Sequence, residues 1–318
     1  MSSMKRLLCA CLVMSSIANT AQVFGESTAA PLRVVYIHGT NTRPEDGSDE
    51  ATFVERAKQL HHYISRHTLL GYRVHTNPVI VTWWDLAQGQ DCFYEGGLDR
   101  FHKKAGQGSW YTVPRHLAPP MRENAHHVTH DAFWLLSNTN NLQRVLARVH
   151  EVLRRDIGPE EPYLIIGHSA GSLVGYKYLQ LIHGGGAPTR HGQWKGFVSI
   201  GSPVNTFLSS DLQADMDQGF LAVSVDEPNP RPVWLNFNHH NDIIATSLSP
   251  LLTSTPDRRV VCRDYVVRRT VWEKLPLIKE FTYNEGHLWA AHGWYFSVPK
   301  RFARLLADQL AAMEQDRE

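Results

Sequence analysis

The sequence lacks several features that point to particular classes of protein. Its formal net charge is only +1 over 318 residues, with a pI near 7.8. A chain this close to neutrality does not carry the basic surface of a nucleic-acid-binding protein, so we expect no nucleic-acid partner. No internal repeat and no low-complexity tract is visible. With 42% hydrophobic and 20% charged residues, the composition is that of a globular protein with ample length for a large core.

The first 25 residues differ from the rest of the chain. Lys5 and Arg6 precede a mostly apolar stretch at residues 7–17, which small and polar residues follow. This stretch is too short to span a bilayer as a helix, and the pattern is typical of a secretory signal peptide. We therefore predict a signal peptide over residues 1–25, one domain over residues 26–318, and a secreted or periplasmic location.

Cysteine is scarce, with four residues in the chain. Loss of the signal peptide would remove Cys9 and Cys11 and leave Cys92 and Cys262. In an oxidising compartment these two could form one disulfide, and two buried thiols are the equal alternative.

Apolar residues follow two periodicities along the rest of the chain. Continuous apolar runs predict buried strands at residues 32–37, 79–83, 163–166, 197–200 and 233–237. Helical spacing predicts helices at residues 51–67, from 138 or 139 to 153, from the serine motif described below to 182, and at 298–313. Residues 260–267 and 281–283 could add edge strands. This alternation predicts an α/β fold with a mainly parallel sheet and helices on both faces.

Two stretches interrupt the alternation. Residues 86–137 are rich in glycine, histidine, tyrosine and tryptophan without clear periodicity, and residues 204–232 are polar and punctuated by proline. Long irregular segments in a compact fold are usually functional or disordered, and the aromatic content of the first argues against disorder. We interpret residues 86–137 as a cap-like or lid-like insertion over the active edge of the sheet. An ordinary structural excursion is the alternative.

The most informative motif is Gly-His-Ser-Ala-Gly at residues 167–171, between a predicted strand and a predicted helix. Glycines on both sides of the serine allow a sharp strand-to-helix turn that lifts the hydroxyl above the sheet edge. The following helix directs its free N–H groups at the same point. The motif therefore predicts Ser169 as a nucleophile.

A serine nucleophile needs a base and an orienting carboxylate, which in this kind of sheet follow in the order acid, then histidine. Asp242 follows the predicted strand 233–237, in a loop at the carboxyl end of the sheet where catalytic groups collect. We predict Asp242 as the acid, with Asp226, Asp257 and Asp264 as alternatives.

The base is expected in the last loop before the terminal helix. His292 lies close to that helix and is followed by aromatic residues that could wall the site. We predict His292 as the base and keep His287 as the alternative. The oxyanion would be bound by the N–H of Ala170 and by a second N–H after the first strand, from Thr40 or alternatively from Gly39.

These motifs, taken in order, resemble the α/β-hydrolase superfamily, and within it the lipases and esterases. They are a strand followed by His38-Gly39, Gly-His-Ser-Ala-Gly-Ser at 167–172, Ile-Gly-Ser-Pro at 200–203, Trp-Leu-Asn at 234–236 leading to Asp242, and His-Gly-Trp-Tyr at 292–295. The resemblance implies an eight-stranded type of sheet, a Ser-His-Asp triad, no cofactor, and ester or thioester substrates. Members commonly carry a bulky apolar residue where Ala170 stands, and a smaller residue where Gly293-Trp294 follow the histidine. These differences affect the shape of the pocket.

From the motifs and the resemblance we expect a serine hydrolase that cleaves carboxylic esters through an acyl-enzyme. The substrate would be a small-molecule or lipid ester, and a lipid substrate would bring transient contact with a membrane surface. An acyltransferase or thioesterase on the same triad is one alternative, and a non-catalytic binding protein of this fold is another. His126 and His130 have the i, i+4 spacing of metal ligands but no glutamate in an H-E-x-x-H arrangement, so we expect no metal.

Overall fold

A computed structural model describes residues 30–39, 48–87, 134–136, 138–183, 191–208, 222–224, 233–240, 242, 244–248, 258–260, 262–267 and 291–315. Several predicted features lie outside these residues: the signal peptide, Thr40, Cys92, the pair His126 and His130, the candidate acids Asp226 and Asp257, the strand at 281–283, and His287. Within the described residues, no helix has the length and apolar character needed to cross a membrane.

The main sheet of the described residues has six strands, all paired in parallel. In chain order these strands are β1 (Arg33–Ile37), β4 (Val79–Val81), β5 (Pro162–His168), β6 (Gln193–Ile200), β8 (Val233–His239) and β10 (Cys262–Val267). Their order across the sheet is β10-β8-β6-β5-β1-β4. The predicted α/β class with a mainly parallel sheet is confirmed.

Helices cover both faces of this sheet. They are α1 (Ser48–Ile64), α2 (Trp84–Ala87), α3 (Thr139–Asp156), α4 (Ala170–His183), α5 (Trp294–Ser297) and α6 (Pro299–Gln315). Side chains alternate between the faces along each strand. Val35 and Ile37 of β1 therefore pack in one core with α3 and α4, while Val34 and Tyr36 pack in a second core with α1 and α6.

Two smaller sheets lie apart from the main one, and the sequence pattern did not predict either. Strands β2 (Thr68–Leu69) and β3 (Tyr72–Arg73) form an antiparallel hairpin. Strands β7 (Ala222–Ser224) and β9 (Arg258–Val260) form a second antiparallel pair. The segment 260–267, predicted as one strand, is thus divided: its start belongs to β9, and the rest is β10, an edge strand of the main sheet.

The direction of the strand connections reverses between β1 and β5. From β1 the chain moves outward to β4 at one edge, whereas from β5 it moves in the opposite direction to β6. The connections from β1 and β5 thus lead to opposite sides of the sheet, and such a point at the carboxyl ends of parallel strands is where α/β proteins bind ligands. The residues at this point are His38-Gly39 and Ser169.

Candidate active site

Ser169 lies in a sharp turn between β5 and α4. Its φ angle is +52°, a left-handed conformation that is uncommon for residues other than glycine. A Cβ atom on Gly171 would collide with the carbonyl oxygens of Ile37 and His38, and one on Gly167 would lie 2.7 Å from Ser172 Cα. Only glycine fits either position, because α4 packs closely against β5 and the end of β1. The turn thus needs both glycines of the motif.

The backbone after β1 lies directly against this serine. A Cβ on Gly39 would be 2.8 Å from Ser169 Cβ and 2.7 Å from the His168 carbonyl oxygen. Trp83 helps to hold this segment, because its indole Nε1–H donates to the His38 carbonyl at 2.9 Å. Gly39 and the nucleophile candidate are therefore neighbours, as the prediction of an oxyanion site after the first strand requires.

Ala170, the other predicted oxyanion donor, is the first residue of α4 and is 1% exposed. The first N–H groups of a helix have no acceptor within the helix, so they are available for an anion. The alternative donor Gly39 is placed beside the serine.

Asp242 and His292 form the second part of the site. His292 Nδ1 and Asp242 Oδ2 are 2.9 Å apart, and both side chains are buried. Asp242 Oδ1 also accepts the backbone N–H groups of Ile244 and Ala245, at 3.0 and 3.2 Å. Burial raises the pKa of Asp242, but His292 and the two N–H groups favour the charged carboxylate, so the net pKa lies below its ordinary value.

Tyr295 fixes the position of His292 relative to Asp242. Its hydroxyl donates to the Phe237 carbonyl at 3.2 Å and accepts the His239 N–H at 2.8 Å. The residue three positions after His292 is thereby attached to the end of β8, from which the Asp242 loop begins. This connection explains how a histidine 50 residues further along the chain meets Asp242.

Gly201, the first residue after β6, lies next to this pair. A Cβ there would be 2.9 Å from His292 Nδ1 and Cε1 and 3.1 Å from Asp242 Oδ2. Its φ of +58° is also a conformation that favours glycine. The side-chain pair thus occupies space that only a glycine at this strand end leaves open.

A row of hydroxyl groups joins the serine turn to the Asp242 loop. Ser172 Oγ donates to the Ser169 carbonyl and is 2.7 Å from Ser202 Oγ, which itself accepts the Val204 N–H. Because each hydroxyl has one hydrogen, Ser202 donates to Ser172 in this arrangement. The Ser202 carbonyl accepts both the N–H and the hydroxyl of Thr246, at 2.8 and 3.1 Å. The turn and the loop are thereby connected through buried polar groups.

Asp264, an alternative acid in the sequence analysis, has a different environment. Its Oδ1 accepts Asn236 Nδ2 at 2.7 Å and the Leu248 N–H at 3.1 Å, and its Oδ2 accepts the Ser247 hydroxyl. Asp264 supports the far end of the loop that begins at Asp242. The structure places Asp242, and not Asp264, against His292.

Two further histidines lie within the same cluster of side chains. His38 is 3% exposed, and burial lowers its pKa to about 4. Burial, together with the nearby His292, lowers the pKa of His168 to about 3. Both rings are therefore neutral at ordinary pH. No role was predicted for His168 or Gly201, which lie two residues and one residue after the ends of predicted strands.

The structure thus brings Asp242 and His292 together beside a turn that carries Ser169, Ala170 and the neighbouring Gly39. Ser169 Oγ is buried and makes no hydrogen bond with any described residue. The link from a serine hydroxyl to its base is often long in free enzymes and tightens when substrate binds. Such a set of groups can perform nucleophilic chemistry on a carbonyl.

The described residues contain no group of three or more histidine, cysteine, aspartate or glutamate side chains suited to a metal ion. Comparisons with known proteins do not add a family: no protein-family model matches the chain, and no curated protein matches it. Because folds of this class support many activities, a function must be argued from the side chains at the site.

Proposed function

We propose that this protein is a secreted or periplasmic serine hydrolase of the α/β-hydrolase superfamily that cleaves carboxylic esters. The observation that carries the proposal is the buried pair of His292 and Asp242, with its 2.9 Å contact, beside the left-handed turn of Ser169. A carboxylate that accepts a hydrogen bond from Nδ1 sets the tautomer of an imidazole, so that Nε2 is left to act as the base.

In this mechanism Ser169 Oγ attacks the acyl carbonyl carbon and its proton passes to Nε2 of His292. The oxyanion is stabilised by the Ala170 N–H and by an N–H from the segment after β1, that of Thr40 or Gly39. His292 then protonates the departing alcohol as the ester bond breaks, which leaves an acyl-enzyme. A water molecule, deprotonated by His292, releases the acid and restores Ser169.

The negative charge of Asp242 stabilises the imidazolium that forms twice in this cycle. Its environment suits the role, because the two backbone N–H groups and His292 keep the buried carboxyl ionised. The neutral state of His38 and His168 suits it as well. A positive charge on either ring would oppose protonation of His292.

The interpretation of residues 86–137 as a cap over the site is supported by the way the two ends of this segment meet. Trp83 and Trp134 are buried and stack at 6.1 Å between ring centroids, with an interplanar angle of 7°. Trp83 also bonds the His38 carbonyl, so both ends of the insertion are attached next to the candidate oxyanion site. The aromatic content of the sequence between these ends favours an acyl chain, and so a lipidic or acyl ester, as substrate.

Labelling with a fluorophosphonate tests the proposed function. The wild-type protein should bind the probe covalently, and Ser169→Ala should not. Ser65→Ala serves as the matched control, since Ser65 is a serine after the end of α1 whose hydroxyl bonds only locally, to the His62 carbonyl. Equal labelling of wild type and Ser169→Ala would refute the assignment of the nucleophile.

The substrate class requires a second measurement. We compare the hydrolysis of esters of increasing acyl length with that of a phospholipid and a thioester. Esters with an extended acyl chain should be hydrolysed faster than short-chain esters. Product analysis with an added alcohol acceptor separates hydrolysis from acyl transfer, because a transferase yields the new ester instead of the free acid. Labelling without turnover on any of these substrates would refute ester hydrolysis.

A further inference from the structure

His168 contacts the proposed base from the residue next to the nucleophile. Its Nε2 lies 3.1 Å from the backbone carbonyl oxygen of His292, and the two imidazole rings have centroids 4.7 Å apart. We propose that His168 is a positioning residue, which orients His292 toward Ser169 through a hydrogen bond to the His292 carbonyl. This inference rests on the proposed function, since it assigns His292 the role of base.

The direction of the hydrogen bond follows from its acceptor. A carbonyl oxygen can only accept, so Nε2 of His168 carries the hydrogen and donates it. A neutral imidazole has one donor and one acceptor nitrogen, which leaves Nδ1 without a hydrogen. Because burial keeps this ring neutral, the same tautomer persists throughout the pH range in which esters are hydrolysed.

A second contact connects His168 to the same segment. Phe296, four residues after His292 and part of α5, meets the His168 ring edge-on at 5.1 Å and 90°. The segment from His292 to Phe296 is therefore held at two points by one side chain. Neither point involves the pairing with Asp242.

The position of the His292 side chain also depends on residues that follow two other strands, β8 and β6. Asp242 comes from the loop after β8, and Gly201 contacts the His292 ring from the end of β6. Both are joined to the nucleophile turn through intermediate residues, since the Ile200 carbonyl accepts the Ser169 N–H at 3.0 Å and the Ser172 and Ser202 hydroxyls connect the turn to the Asp242 loop. His168 provides a direct connection, because it is bonded covalently to Ser169 and its ring donates to the His292 carbonyl. A shift of the base away from the serine would break this hydrogen bond.

The expected signature is a loss of kcat with little change in KM. His168 Nε2 is occupied by the protein's own backbone, so a substrate has no need of it for binding. Misplacement of a catalytic group by about 1 Å costs on the order of 100-fold in rate. Removal of the donor should therefore lower kcat by roughly 10- to 100-fold.

Three substitutions separate the hydrogen bond from the bulk of the side chain. In His168→Gln the amide nitrogen stands the same number of bonds from Cα as imidazole Nε2, so a donor is retained. His168→Met has a similar length without a donor, and His168→Asn places its amide at the position of Nδ1. We expect Gln to keep kcat within about threefold of wild type, and Met and Asn to show the larger loss.

We measure kcat and KM on a soluble ester and normalise kcat to the concentration of active sites, which is determined by titration with a fluorophosphonate. Unfolded protein then does not contribute to the measured kcat. Thermal unfolding of each variant is recorded in parallel. Equal kcat for Gln, Met and Asn, wild-type kcat in Met, or a loss expressed mainly in KM would each overturn the positioning role. These results are distinct from failure of the proposed function, which shows as labelling that is unchanged in Ser169→Ala.

Discussion

Gly201→Ala should inactivate the protein while leaving it folded. Gly201 lies between the end of β6 and the Asp242–His292 pair, with a φ of +58°. The added Cβ would lie 2.9 Å from Nδ1 and Cε1 of His292 and 3.1 Å from Asp242 Oδ2. One methyl group thus meets both partners of the proposed catalytic pair.

The size of the effect follows from these distances. Non-bonded carbon atoms prefer separations of about 3.5–4.0 Å, so the imidazole must move by roughly 0.5–1 Å. A displacement of that size costs on the order of 100-fold in kcat. The left-handed φ adds about 1–2 kcal/mol of strain for a residue with a Cβ, or roughly 1–3 °C in Tm for a chain of this length.

Gly71→Ala is the matched control for this strain. Gly71 has a φ of +74°, lies in the turn between β2 and β3, and a Cβ there would have no atom within 4 Å. Both variants should lose stability in thermal unfolding, Gly201→Ala the more because of its close contacts, but only Gly201→Ala should lose ester hydrolysis and fluorophosphonate labelling rate. If the two variants have the same kcat, the His292–Asp242 pair is not the catalytic pair that we propose.

Three further outcomes are expected. Asp242→Asn removes the charge that stabilises the imidazolium, so kcat should fall by about 10³–10⁴-fold with Tm little changed, and near-wild-type turnover would contradict the role of Asp242. Ser172→Ala deletes the hydroxyl that holds the Ser169 carbonyl, and urea unfolding should show a loss of about 1–2 kcal/mol together with slower labelling of Ser169. The pKa of His38 is lowered to about 4, so the unfolded state binds its proton more readily, and stability should rise with pH from about 4 to 6.5. His38→Phe should reduce that slope by up to about 1.4 kcal/mol per pH unit, measured by unfolding at several pH values, and an unchanged slope would show that His38 is not neutral in the folded protein.

The central strands and the helices between them could be predicted because their periodicity is strong. β1, β5 and β8 are buried apolar runs, and α3 begins at a recognisable cap, where the Asn138 side chain accepts the Asn140 N–H at 2.9 Å. The β2–β3 hairpin was missed. Its strands have two residues each, and its turn places Leu70 at a φ of +51°, which the sequence does not signal because leucine rarely adopts that conformation.

Part of the candidate site could be predicted from the order of the motifs along the chain. The structure brings Asp242 to His292 and places Asp264 against Asn236, while the catalytic roles of Asp242 and His292 stay predictions. His168 could not be assigned a role from the sequence. Its proposed role depends on a hydrogen bond to the backbone carbonyl of His292, which lies 124 positions further along the chain. A backbone carbonyl is present at every residue, so no sequence pattern indicates this bond. Thr40 and His287 remain predictions outside the described residues.

The stacked pair of Trp83 and Trp134 has a consequence for how the substrate range of such a protein can change. The two indoles bring together the ends of a segment about fifty residues long. Loop-closure free energy grows slowly with length, by about 0.6 kcal/mol for each doubling. The part of the segment after α2 can therefore be lengthened or shortened at little cost in loop-closure free energy. In the proposed hydrolase, changes in this segment would thus alter substrate selection while Ser169, His292 and Asp242 keep their places.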